Sequence, residues 1–337
     1  MNSHMANILI ETAVRNTLKG IKEAPERSIR NLVDMGLSFS EGRFQQRFLS
    51  SVQKMLQNPD SAYYDLVKDI VSYADFDAIT HFGINAGYNS CTDGAAIIRR
   101  IERTEGFNIP WCLTFFVGPS CGAKRLNTYD RVLAEGTAIG IRTYLLFPEG
   151  DPSCLLPLVR RHKDCAFVLF LSSDRMTEEL IREIHAIPHL ICSVALDAST
   201  EKICQRLRKS RMLYGIHKIY DDTEKEAILN GTVLKRMVSS KPLFSFFAAD
   251  QKCPDATQEE VYRSIFALRE AQSYPSLLLD LRYDGLFIDG IISDDAHTAY
   301  FDADGFLWAD GVPTRECLFE ESLKPMLRRR FPKSDAV

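Results

Sequence analysis

IRTYLLF (141–147), CAFVLFLSS (165–173) and LICSVALDAS (190–199) are three apolar runs of strand length, and what lies between them decides the fold. The first run ends in the acidic turn Pro148-Glu149-Gly150-Asp151-Pro152, and LLPLVRRH (155–162) follows at helical spacing. TEELIREIHAI (177–187) separates the second run from the third. Strands alternating with helical segments of this length predict parallel βα units. In such units ligands sit beyond the carboxyl ends of the strands. The turn at 149–151, Ser172-Ser173-Asp174 and Asp197 are therefore expected on one rim.

Working outward, strand candidates recur from residue 78: AITHFGI, IPWCLTFFV, the three runs above, LYGIHKIY, PLFSFFA, and SLLLDL taken with GLFIDGII. Counted so, they make eight units. The expected fold is α/β, a TIM-type (β/α) barrel of eight units, or a six-strand partial barrel with flanking strands. Residues 6–73 carry apolar residues at helical spacing and predict an amphipathic layer covering the barrel, or a surface for a protein partner. Asp284-Gly285, Asp304-Gly305 and Asp310-Gly311 are hairpin-turn dipeptides and predict a small C-terminal β appendage. The expected division is a cloning remnant at 1–5, the helical layer at 6–76, the barrel core at 77–295 and the appendage and tail at 296–337.

A chain of 337 residues, 45% apolar, can bury a large core. Net charge of −4 with mixed signs gives no footprint for nucleic acid or an anionic membrane. No apolar run reaches the ~18 residues of a membrane span. Nine cysteines without a CxxC pair, several inside apolar strands, suggest reduced thiols and a cytoplasmic protein. No P-loop, HExxH, nucleophile elbow or dinucleotide fingerprint occurs, so the common kinase, zinc-hydrolase and serine-hydrolase classes have no support.

Several strand-end groups can carry chemistry. Glu149 and Asp151 flank Gly150, where backbone amides and carboxylates can face a ligand; Asp151 can equally cap the next helix. His217 and Lys218 lie near a strand end, with Tyr220, Asp221 and Asp222 just beyond. Either could act as acid, base or imine-forming amine. Asp197, Asp250 and Asp280 hold similar places and could form a carboxylate ring. HFGINAGYNSCTDG (81–94) reads as a strand-to-helix loop whose Asn85 would meet a polar ligand.

The order and spacing of Gly150-Asp151-Pro152, Ser172-Ser173-Asp174 and SVALDA (193–198) resemble the radical S-adenosylmethionine (SAM) superfamily over roughly 100 residues. There the first would stand for the turn that holds the methionine amino group, the second for a Thr-Asn-Gly element, and the third for a serine-rich fourth strand. The resemblance implies a barrel that binds SAM or a small polar or peptide ligand through Asn85, Glu149, Gly150, Asp151 and Ser172. The family's three-cysteine loop is missing, because PSCGAKRLN (119–127) carries Cys121 alone. A 4Fe–4S cluster is therefore not expected, and a pseudoenzyme is one reading. Two alternatives stand beside it: a non-radical barrel hydrolase, lyase or isomerase using His217 or Lys218 with Asp197 and Asp250, and a radical enzyme with an irregular cluster on Cys91, Cys112 and Cys121.

Overall fold

The computed structural model describes residues 56–333 except Cys121 and Asp294, and before them 11–17, 20–21, 25–38, 46–47, 50 and 52–54. The first five residues, and most of the 44–55 part of the N-terminal layer, lie outside the described residues. Among the described residues ten strands form one sheet in the order β10-β9-β8-β1-β2-β3-β4-β5-β6-β7. They are β1 (Cys112–Val117), β2 (Thr143–Pro148), β3 (Ala166–Leu171), β4 (Leu190–Ala195), β5 (Tyr214–Tyr220), β6 (Phe244–Ala249), β7 (Leu277–Asp280), β8 (Ala299–Phe301), β9 (Phe306–Ala309) and β10 (Val312–Cys317). β1 to β7 pair in parallel and in chain order, and β8 pairs parallel to β1. β9 and β10 extend the far side as antiparallel strands.

A strand order without reversal sends every crossover the same way, and crossovers of one hand then leave all helices on one face. Burial agrees. The helices α4 (Ala95–Glu105), α5 (Ala123–Ala138), α6 (Leu156–Arg161), α7 (Glu178–His185) and α8 (Thr200–Lys209) share one core with alternate strand residues such as Phe115, Tyr144, Phe167, Cys192 and Ile216. α10 (Thr232–Ser239), α11 (Asp255–Glu270) and α13 (Leu323–Arg330) complete that layer. The architecture is that of a partial (β/α) barrel: β7 and β10 are the two edges of the sheet.

Part of the opposite sheet face is covered by N-terminal helices. α2 (Ala62–Tyr73) and α3 (Phe76–Gly83) bury Leu66, Ile70 and Phe82 against Val168, Phe170, Ile191 and Phe246. Ser61 and Asp75 cap the two helices by accepting from Tyr63 N and Asp77 N. Arg208 clamps Asp69 of α2 through two bonds of 2.7 and 2.8 Å and stacks on Tyr73.

Two expected strands are helices. AITHFGI falls in α3 and in the π-helix Ile84–Gly94 that continues it, and GLFIDGII falls in α12 (Tyr283–Ile292). Short apolar runs suit either structure, and capping tips the balance here. Asp75 caps α3, while Asp280 accepts from Arg282 N and Tyr283 N to start α12. Asp284-Gly285 is consequently helical. Asp310-Gly311 is a tight turn with φ of 51° and 80°, as a two-residue hairpin requires.

Candidate functional site

The rim carboxylates are satisfied locally. Asp151 accepts from Ser153 N and Ser153 Oγ at 3.0 and 2.7 Å and so caps the turn it opens. Its pKa is held below the usual range, chiefly by the Ser153 hydroxyl. Asp250 accepts from Lys252 N at 2.9 Å, and Asp302 accepts from Phe306 N and Trp308 Nε1. Asp197 accepts from Ser173 Oγ at 2.5 Å and Ser199 N at 2.7 Å; burial pushes its pKa up, and these bonds outweigh that push. Asp280 faces the helix layer, where burial raises it to about 6. A carboxylate one or two residues past a strand is what a strand-to-helix turn needs as a cap. The expected carboxylate ring is a series of such caps.

The turn after β2 is likewise occupied. Arg175 donates to the carbonyls of Pro148 and Gly150 at 2.7 and 2.9 Å and also to that of Glu149. Gly150 is packed so closely that a Cβ would lie 2.4 Å from Pro119 O. Ser172 follows the last residue of β3 and is exposed, and its carbonyl accepts from Arg175 N.

Asn85 is at the other end of the sheet. Its Nδ2 donates to Lys163 O and Cys165 O at 2.7 and 2.8 Å, ahead of the first residue of β3, and Asn89 donates to Asn85 Oδ1. The segment 81–94 is helical, and its amides satisfy carbonyls at the amino ends of the strands. Cys91 and Cys112 belong to that end too. Burial pushes the Cys91 thiol up to about 12 and Cys112 higher still, so neither is a ready thiolate. Cys121 lies outside the described residues. Among the described residues no group of three or more His, Cys, Asp or Glu is placed to hold a metal ion.

Neighbours on β5 divide by alternation. Lys218 forms an ion pair with Glu224. His217 lies on the opposite face, buried to 6%, with Nδ1 3.1 Å from Ser193 Oγ and its ring edge-on to Phe170 at 5.2 Å. Burial lowers its pKa to about 4, so the ring is neutral near pH 7. Nε2 has no hydrogen-bond partner among the described residues.

Sequence reasoning missed what surrounds His217. On the face away from the crossover helices, aromatic rings meet across successive strands. Trp308 stacks on Tyr300 at 5.3 Å, Tyr300 meets Phe116 edge-on at 5.5 Å, Phe116 stacks on Phe147 at 5.0 Å, and Phe147 stacks on Phe170 at 4.2 Å. Phe116 is 36% exposed, and Ile219, two residues beyond His217 on the same face, is 49% exposed. The signal was present: CLTFFV, TYLLFP and AFVLFL each place a phenylalanine one residue before the strand end.

The fold has solved counterparts. The chain superposes on SuiB of Streptococcus suis with a TM-score of 0.50 at 9% identity, covering 96% of this chain and 82% of SuiB. Against SuiB bound to the precursor peptide SuiA the values are 0.50 and 11%, over 70% and 67% of the two chains. Against SuiB bound to S-adenosylmethionine they are 0.49 and 12%, over 70% and 66%. In the last two comparisons the chain spans about two thirds of SuiB's length. The likeness is one of fold alone. No protein-family pattern and no curated protein matches the sequence.

Proposed function

We propose that this chain is a radical-SAM-like barrel protein that binds a peptide segment at the carboxyl-end mouth of its sheet, on the aromatic face, without a thiolate-held iron–sulfur cluster. The observation that carries this reading is the half-open ring ladder, whose middle ring, Phe116, is exposed. Apolar rings left open at strand ends, beside a buried neutral imidazole with a nitrogen unpartnered among the described residues, are the composition of a ligand site. The peptide-bound form of SuiB supports the choice of a peptide over a smaller ligand.

The residues present do not fit SAM held by its ammonium at the β2 turn. The three carbonyls there already bind a cation, Arg175, and the Asp151 carboxylate is committed to Ser153. The two described thiols of the supposed triad, Cys91 and Cys112, are half-buried at the other end of the sheet, where desolvation holds them protonated.

Titration with a short tryptophan-containing peptide and, separately, with SAM tests the proposal. Peptide binding that weakens several-fold in Phe116→Ala is expected, since a ring–ring contact contributes roughly 0.5–1.5 kcal/mol. SAM binding insensitive to Phe116→Ala, with no peptide binding, would overturn it. A second reading, a non-radical barrel enzyme, keeps support at His217 alone, whose Nε2 has no partner among the described residues, because Lys218 is held in its ion pair.

A further inference from the structure

Three features of the mouth bear on the charge of what it takes. The first is the ladder itself: its rings stack on one another, and what they leave open at Phe116 is apolar surface that the methylene stem of a long side chain can cover. The second is the rim. Glu149, Asp151, Asp174, Asp197, Asp250 and Asp302 lie just past five different strands, and none of them forms an ion pair among the described residues. The rim cations are largely engaged: Arg125 is held by Ala303 O and the Phe319 ring, Arg175 by the β2-turn carbonyls, Lys218 by Glu224 and Arg282 by Asp255. Lys124 and Lys252 remain. The third is His217, more than nine-tenths buried on the ladder face, with Nδ1 tied to Ser193 and Nε2 without a partner among the described residues. Either Nδ1 or Ser193 Oγ donates in that bond, so Nε2 offers an acceptor in one tautomer and an N–H donor in the other.

Resting on the proposed peptide reading, we infer that the peptide this mouth takes is cationic, bearing lysine or arginine side chains that lie over the rings and under the carboxylate rim. The open apolar surface at Phe116 suits the stem of such a group, and the carboxylates without ion pairs suit its charged head. An anionic segment would face six carboxylates with little to neutralise it.

The test compares three fluorescein-labelled pentapeptides, Gly-Lys-Trp-Lys-Gly and its glutamine and glutamate counterparts, by anisotropy on the full chain at low and moderate salt. The lysine peptide is expected to bind about tenfold tighter than the glutamine peptide, with the glutamate peptide weakest, and the gap should narrow as salt screens the rim. An Asp174→Asn, Asp250→Asn double variant, in which the second amide can still cap its turn, should shrink the lysine preference over glutamine several-fold. Phe116→Ala should weaken the lysine peptide. Equal binding of lysine and glutamine peptides, a preference for glutamate, or a lysine preference untouched by Phe116→Ala would overturn the inference. Ring-dependent binding without charge preference sinks this inference alone; failure of all three peptides to bind sinks the peptide reading with it.

Discussion

His217 ties the stability of the chain to pH in a way that can be worked out. Its pKa is about 4 in the folded protein, because burial against Phe170 penalises the charged ring, and about 6.5 in an unfolded chain. Between these values the unfolded chain holds the proton and the folded one does not. Stability therefore rises with pH across this window: it is fully present above about pH 6.5 and is lost as pH falls through about 4. Each pH unit of the gap is worth about 1.4 kcal/mol, so its full width amounts to about 3 kcal/mol. His217→Gln keeps an amide within reach of Ser193 and removes the titration. Urea melts of both proteins from about pH 7 to about pH 4.5 should show the wild type losing about 2–3 kcal/mol relative to the variant, over a constant offset from the lost ring packing. Other acid-sensitive groups cancel in that difference. Parallel curves, agreeing within about 0.5 kcal/mol after the offset, would mean that the ring is solvated in the folded state, and the buried imidazole of the proposed site would be refuted.

Asp289, fully buried beneath Trp111 N and His297 N, runs the other way: burial raises it to about 7, so the folded state holds the extra proton, and stability falls as pH rises from about 4 through 7. Asp289→Asn should flatten that alkaline decline in melts between about pH 5 and 8, and an unchanged slope would contradict it. Gly150→Ala drives a methyl into the Pro119 backbone and should cost about 1–3 kcal/mol by denaturant melts; a neutral result would show that the loop can shift. Asp151→Ala should cost about 1 kcal/mol as a lost cap, whereas Asp151→Asn should cost only a few tenths, and equal losses would argue against capping as its role.

The stretch 141–199 was legible because each element there is bounded by its own chemistry. Thr177 caps α7 with its hydroxyl accepting from Leu180 N, Asp151 with Pro152 opens the turn after β2, and β3 is buried on both faces and therefore uniformly apolar. The same local reasoning recognised the Asp310-Gly311 turn. It failed at AITHFGI and GLFIDGII, where composition is neutral between strand and helix and the deciding caps, Asp75 and Asp280, stand outside the runs.

Local sequence also marked the polar residues at strand ends without saying which way they turn. Asp151, Asp197 and Asp250 point back to their own turns because a donor two residues on is nearer than any ligand. Asn85 went to the opposite end once its segment became helical. Backbone preference and capping act over a few residues, so strands, turns and most helices could be read from the chain itself. The pairing of Phe116, Phe147, Phe170, Tyr300 and His217 on one sheet face joins residues up to 184 positions apart (300 − 116 = 184), and only strand register and one-sided helix packing in the folded sheet bring those rings together.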